Sequence, residues 1–142
     1  MITISNAKTV DGKVISLEIT DGHITKISNQ PIPGGVDATG KLIIPGLVDL
    51  HTHLREPGKE DSETVLTGSR AATAGGFTAI SAMANTNPVA DTAGVVEQVF
   101  RLGKEAGLCD VNPIGAVTKG LNGEQLAEIA AMADSAARVR IF

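Results

Sequence analysis

Hydrophobic and polar residues alternate with a period of two along residues 1–28, which predicts short β-strands. Leu17 and Ile19 share one face of such a strand, and Asp21-Gly22 after it is typical of a two-residue hairpin turn. We therefore expect residues 1–43 to form a small antiparallel β subdomain. A unit of this size is too small for a hydrophobic core of its own, so it should pack on other structure.

From residue 44 onwards, strand-like runs alternate with helical ones. Strands are predicted to begin near residues 44, 77, 109 and 138, a spacing of about 30 residues that is typical of βα units. Such alternation indicates an α/β fold with a parallel sheet, either doubly wound or a (β/α)8 TIM barrel. A dinucleotide-binding doubly wound fold would carry G-x-G-x-x-G after its first strand, and none is present. The barrel is therefore the preferred prediction.

The sequence also predicts three helices. The first should begin at Asp61 or Ser62, which are both good N-cap residues, and end near Gly75-Gly76. The third should begin at Asn122, which with Gln125 resembles a capping box. The second should present one apolar stripe, made of Val95, Val99, Leu102 and Ala106.

The first predicted barrel strand ends in two histidines, His51 and His53. Side chains two residues apart on a strand point to the same face. The carboxyl ends of parallel strands are where α/β sheets and barrels place their chemistry. We interpret the pair as ligands of one metal ion; a hydrogen-bonded polar pair without metal is the alternative. Asp49 should share this face, and its role stays open between orienting a neighbour and pairing with a nearby cation.

Composition excludes several classes of function. The chain is 42% hydrophobic and 20% charged, with a net charge of −4 and no basic run, which argues against nucleic acid as a partner. A single cysteine excludes an internal disulfide and fits a reducing compartment. Neither a secretion signal nor an apolar run of membrane-spanning length is visible. We expect a cytoplasmic protein that does not enter a membrane.

Two motifs resemble those of the type I bacterial dihydroorotases, a branch of the amidohydrolase superfamily. They are PGLVDLHTHLREPG at residues 45–58 and MANTNP at residues 83–88. The resemblance implies a metal-dependent (β/α)8 barrel preceded by part of a composite β-sandwich. Residues 1–43 would belong to the sandwich, and residues 44–142 would be the first half of the barrel, up to the start of its fourth strand. A genuinely small four-stranded domain is the alternative.

The resemblance also assigns roles to individual residues. His51 and His53 would bind Zn²⁺, in a site that holds two metals in the complete enzyme. Arg55 and Asn85 would hold the substrate carboxylate, for which a planar guanidinium is well suited. An ion pair of Arg55 with Glu56, Glu60 or Asp61 is one alternative. Asn85 could instead cap its loop, and Asn87 is a second candidate for its role.

The implied reaction is the reversible cyclisation of N-carbamoyl-L-aspartate to L-dihydroorotate in pyrimidine biosynthesis. In the hydrolytic direction, zinc would activate water and polarise the ring amide. The general base and the remaining metal ligands are expected beyond residue 142, so we expect the chain alone to be a truncated, inactive part of the enzyme. The resemblance leaves open a homodimer and an association with aspartate carbamoyltransferase.

Three other functions compete with this interpretation. The first is a hydantoinase, dihydropyrimidinase or allantoinase, whose substrates lack the carboxylate that Arg55 would bind. The second is a non-catalytic dihydroorotase-like scaffold subunit, although such a chain should have lost its metal ligands. The third is a binding module without metal. Arg55 distinguishes the first of these functions, and the pair His51 and His53 distinguishes the other two.

Overall fold

The computed structural model describes residues 1–142, which form two compact units, Met1–Pro45 and Gly46–Phe142. The first unit is a four-stranded sheet with the strand order β3-β2-β1-β4. Its strands are β1 (Ile2–Lys8), β2 (Val14–Thr20), β3 (His23–Ser28) and β4 (Val36–Asp37). Asp21 and Gly22 join β2 to β3, both with positive φ, as a tight hairpin requires.

The pairing of β4 corrects the expectation of a purely antiparallel unit. β1, β2 and β3 pair antiparallel, but β4 runs parallel to β1, with Val36 opposite Ile4. The loop before β4 is held against β1 by Ser5, whose hydroxyl donates to the carbonyl of Ile32 at 2.9 Å. The amide of Ile32 donates back to that hydroxyl at 3.1 Å. The loop thus returns the chain to the start of β1, which makes the last pairing parallel.

The second unit has a parallel three-stranded sheet with the order β5-β6-β7. Its elements are β5 (Leu47–Thr52), α1 (Val65–Ala74), β6 (Phe77–Ala82), α2 (Ala93–Ala106), β7 (Asp110–Pro113), a 3-10 turn (Lys119–Leu121) and α3 (Ile129–Asp134). Strands and helices alternate as the sequence predicts, so the α/β fold class is confirmed. None of the helices combines the length and the apolar character needed to cross a bilayer.

The core of this unit lies between the sheet and its helices. α2 buries Val96, Val99 and Gly103, a stripe offset slightly from the predicted one. A Cβ on Gly103 would lie 2.5 Å from the Cβ of Val111, so the glycine lets α2 pack closely on β7. The buried residues of the cluster beneath β5, β6 and β7 are Leu54, Val65, Ile80, Ala82, Val99 and Val111.

The start of α1 differs from the prediction. The helix begins at Val65 with Thr64 as N-cap, whereas the sequence favoured Asp61 or Ser62. The hydroxyl of Thr64 accepts from the amide of Thr67 at 3.1 Å. Residues 59–62 form a turn before the helix, in which the Ser62 amide donates to the carbonyl of Lys59. The predicted end is correct, since Gly75 is the C-cap residue.

The last predicted helix and strand are largely wrong. α3 is only six residues long, and Asn122 ends the 3-10 turn instead of capping α3. No strand forms at residues 138–142. The amides of Arg138 and Val139 donate to Ser135 and Met132, in turns that leave them unavailable to a neighbouring strand. The predicted fourth strand is therefore not assigned in this structure, although the Ile141 carbonyl accepts from the amide of Gly115, which follows β7, at 3.0 Å.

Candidate functional site

His51 and His53 stand at the carboxyl end of β5, where His51 is in the strand and His53 follows its last residue. Both side chains are exposed, and the ring centroids lie 5.1 Å apart with an interplanar angle of 66°. The structure therefore places the two imidazoles side by side, as their spacing predicts.

At this strand end, the potential metal ligands are these two histidines. No group of three or more His, Cys, Asp or Glu side chains is arranged to hold a metal ion. Asp49, whose role was open, accepts a hydrogen bond from the backbone amide of His51 at 2.9 Å. Catalytic zinc sites normally have three protein ligands, so the two imidazoles fit part of such a site and do not complete one.

Asn85 follows β6 and its side chain meets His53. The Asn85 Oδ1 lies 2.9 Å from Nδ1 of the His53 ring. The two strand ends are joined beside this pair, because the Met83 amide donates to the Thr52 carbonyl at 2.8 Å. The Thr52 hydroxyl also donates to the carbonyl of Ser81 at 2.8 Å. The first strand end and the loop after the second thus form one polar cluster.

Arg55 lies in the loop after His53, half-buried and with φ +62. Its guanidinium forms neither a salt bridge nor a hydrogen bond with any protein group, so the ion pair considered as an alternative does not form. Glu56 instead accepts from the Val65 amide at the start of α1, at 2.8 Å. Glu60 accepts from the Gly58 amide at 2.7 Å, and this backbone hydrogen bond lowers the pKa of the Glu60 carboxyl.

The structure distinguishes the two asparagines of the second loop. Asn85 uses its side chain, toward His53, whereas Asn87 uses its backbone amide, which donates to the carbonyl of Pro57 at 2.9 Å. The side chain of Asn87 forms no hydrogen bond. Asn85 is therefore the asparagine whose side chain contacts a predicted metal ligand, and its role in binding the substrate stays a prediction.

Sequence reasoning missed the residues that hold the two loops in place. Glu56 was considered only as an ion-pair partner, and its role at the start of α1 depends on where that helix begins. Gly58, the last residue of the first motif, approaches Asn87 so closely that no Cβ would fit. Nothing local in the sequence indicates that a second segment of the chain lies against this glycine.

Comparison with known proteins places these motifs in a family. A family model described as dihydro-orotase-like matches residues 40–139. A dihydroorotase of Leifsonia xyli is 62% identical over 142 residues, covering 98% of this chain and 32% of that protein. A dihydroorotase of Streptomyces coelicolor is 72% identical over 107 residues, covering 75% of this chain and 25% of that protein. The chain thus spans about a third or less of the length of these curated relatives.

Solved structures with a similar fold include two hydantoinases. An L-hydantoinase of Arthrobacter aurescens has a TM-score of 0.70 and 25% identity, over 82% of this chain and 28% of that one. A D-hydantoinase of Thermus sp. has a TM-score of 0.58 and 26% identity, over 83% of this chain and 28% of that one. Sequence identity to the two dihydroorotases is much higher than to these two hydantoinases.

Proposed function

Because this chain belongs to the dihydroorotase-like family, we propose that it forms part of the active site of a dihydroorotase. That enzyme would catalyse the reversible cyclisation of N-carbamoyl-L-aspartate to L-dihydroorotate in pyrimidine biosynthesis. The observation that carries the proposal is Arg55, a half-buried residue whose guanidinium has no protein partner and which follows His53 by two positions, after the end of β5. A cation in that position is ready to pair with an anionic ligand.

The substrate carboxylate is the ligand that we assign to Arg55. A guanidinium binds a carboxylate through two parallel, charge-assisted hydrogen bonds, which are stronger than bonds between neutral groups. Asn85 would add a neutral donor from its amide Nδ2. Both the open-chain acid and the cyclised ring carry this carboxylate, so the same two residues would hold substrate and product while the ring closes and opens.

His51 and His53 would bind Zn²⁺ through neutral imidazoles. When bound, the metal supplies a Lewis acid and lowers the pKa of a water molecule toward neutrality. In the complete enzyme, further barrel strands would supply the remaining ligands, including those of a second zinc ion, and the general base. Because two ligands make an incomplete catalytic site, we expect residues 1–142 to show no turnover by themselves.

Hydantoinase activity is the second candidate, favoured by the fold similarity to the two hydantoinases. Hydantoins lack the carboxylate of dihydroorotate, so their binding would leave Arg55 partly buried without a counter-charge. Leaving a charged group unpaired in a closed site costs several kcal/mol. The unpaired guanidinium therefore favours the acidic substrate.

A chimera tests the proposed function. Residues 1–142 would replace the matching segment of the Leifsonia xyli dihydroorotase, and zinc-loaded protein would be assayed with dihydroorotate and with hydantoin. We expect activity on dihydroorotate. Arg55→Met should lower kcat/KM by roughly 30-fold or more, because losing a charged partner costs about 2–5 kcal/mol. Arg101→Met, on the exposed face of α2, is the matched control and should change little.

Two results would contradict the proposal. A folded, zinc-loaded chimera that turned over hydantoin but not dihydroorotate would support the second candidate. Unchanged dihydroorotate kinetics in Arg55→Met would show that Arg55 does not bind the carboxylate.

Assembly and location are further parts of the proposal that derive from the family resemblance. We propose that residues 1–43 belong to a composite β-sandwich and residues 44–142 to the barrel. A homodimer and an association with aspartate carbamoyltransferase both stay predictions, as does a cytoplasmic location.

A further inference from the structure

The contact between His53 and Asn85 carries information about the protonation of the histidine ring. A neutral imidazole has one N–H donor and one acceptor nitrogen, and its hydrogen-bond partner decides which is which. The group that faces Nδ1 of His53 is the side-chain oxygen of Asn85, at 2.9 Å. An amide oxygen only accepts hydrogen bonds, so this contact is a hydrogen bond when the neutral ring carries its proton on Nδ1. The lone pair is then on Nε2, the other nitrogen.

We propose that Asn85 is a positioning residue that holds His53 in the Nδ1–H tautomer and leaves Nε2 free to bind a metal ion. The inference deepens the proposed function and rests on it for the identity of the metal. Partners of this kind, behind a metal-binding imidazole, fix the orientation of the ring and raise its basicity. Here the partner is an amide from the loop after β6, and no carboxylate is involved.

The rest of the second loop holds the backbone on either side of Asn85 in place. The amide of Ala90 donates to the carbonyl of Ala84 at 3.0 Å, which closes the loop on itself. The Thr86 hydroxyl donates to the carbonyl of Pro88 at 2.7 Å, and Thr86 is buried. Since Ala84 and Thr86 flank Asn85 and are both buried, the backbone that carries the amide is fixed on each side.

The orientation of the amide also separates two roles within one side chain. Oδ1 faces His53, whereas the Nδ2 group forms no protein hydrogen bond and can donate to an anion. A single asparagine would thus orient a metal ligand and bind the substrate carboxylate. Aspartate can perform only the first of these roles, because it accepts from His53 but repels a carboxylate. Alanine performs neither.

Nuclear magnetic resonance of the metal-free chain tests the tautomer directly. With ¹⁵N-labelled histidine at about pH 8.5, above the ordinary histidine pKa of about 6.5, long-range ¹H–¹⁵N correlations show which ring nitrogen carries the proton. The substitutions His23→Gln and His51→Gln assign the signals of the three rings. We expect His53 to be protonated on Nδ1.

Three variants at the second loop then identify the cause. Asn85→Ala should convert His53 to a mixture dominated by the Nε2–H form, which free imidazole side chains prefer. Asn85→Asp should preserve the Nδ1–H form. Asn87→Ala is the matched control and should change nothing, because the Asn87 side chain forms no hydrogen bond. An Nε2–H form of His53 in the parent chain, or an unchanged Nδ1–H form in Asn85→Ala, would overturn the proposal.

The chimera distinguishes this role from carboxylate binding. Asn85→Ala should weaken zinc binding by about 10-fold or more, the usual effect of losing a partner behind a metal ligand. Asn85→Asp should keep the tautomer of His53 but raise KM for dihydroorotate. If KM did not rise, the carboxylate-binding role of Asn85 would fail while the tautomer result stood. If KM rose but the tautomer of His53 did not depend on Asn85, the positioning role would fail while the carboxylate-binding role stood.

Discussion

Gly58 lies against the backbone of Asn87, so closely that a Cβ on residue 58 would come 2.6 Å from the Cβ of Asn87. Gly58 also has φ +100, a backbone conformation that residues other than glycine rarely adopt. Beside it, the amide of Asn87 donates to the carbonyl of Pro57. The loops that carry Arg55 and Asn85 are therefore held together by a contact that only glycine allows.

Replacing this glycine should loosen both loops. We expect Gly58→Ala to lower the free energy of unfolding by about 2–5 kcal/mol, since the left-handed backbone costs roughly 1–2 kcal/mol and overpacking adds about 1–3. Gly123→Ala is the control, because Gly123 has φ +78 but no atom within 4 Å of the added methyl group. Urea unfolding measures both losses. Equal losses in the two variants would contradict the close approach.

Zinc binding by the isolated chain should depend on two of its three histidines. We expect weak binding, because two imidazoles provide fewer ligands than a catalytic zinc site normally has. His51→Ala and His53→Ala should each reduce the affinity about 10-fold or more, or roughly 1.4 kcal/mol. His23→Ala is the control, since His23 is exposed in a hairpin with Nδ1 2.8 Å from the Asp21 carbonyl oxygen.

Competition with a chromophoric chelator provides the measurement for this series. Equal losses in all three variants would indicate adventitious binding to exposed imidazoles. An unchanged affinity in His51→Ala would remove that residue from the proposed ligands.

Stability of the first unit should depend on pH through Asp37. The side-chain amide of Asn6 donates to its carboxylate at 3.0 Å, and Thr39 donates through its hydroxyl and its backbone amide. These hydrogen bonds lower the pKa of Asp37 below its ordinary value of 3.8. Their stabilisation is therefore present above that ordinary value and is lost as the pH falls through the lowered pKa of the folded state.

Asp37→Asn should accordingly be less stable than the parent chain at about pH 7, and the difference should shrink toward about pH 2. Urea unfolding at several pH values provides the comparison. Asp61→Asn is the control, because Asp61 is exposed and forms no hydrogen bond. A difference that stayed constant from neutral to acidic pH would show that Asp37 acts through packing and not through its charge.

Local patterns in the sequence were enough for much of the fold. Alternation and an Asp-Gly turn located β2 and β3, and paired glycines located the end of α1. The side-by-side arrangement of His51 and His53 followed from the period of an extended strand alone. These features depend on residues close together in the chain, whose geometry the backbone fixes within a few bonds.

The folded structure decided where elements begin and end when turns and loops compete for the same backbone groups. Residues 138–142 have the alternation of a strand, but the amides of Arg138 and Val139 donate to Ser135 and Met132 at the end of α3. α1 begins at Val65, whose amide donates to Glu56 from the preceding loop. Alternation and capping patterns cannot show which of these hydrogen-bonding partners the folded chain uses.

The same distinction between sequence and folded structure applies to the site. The motifs by themselves determined the strand end, the two imidazoles and the family to which the chain belongs. Only the folded structure showed that Arg55 has no acidic partner and that Asn85, not Asn87, reaches His53. The contact of His53 with Asn85 joins residues 32 positions apart, and the loops that follow them meet again where Gly58 approaches Asn87.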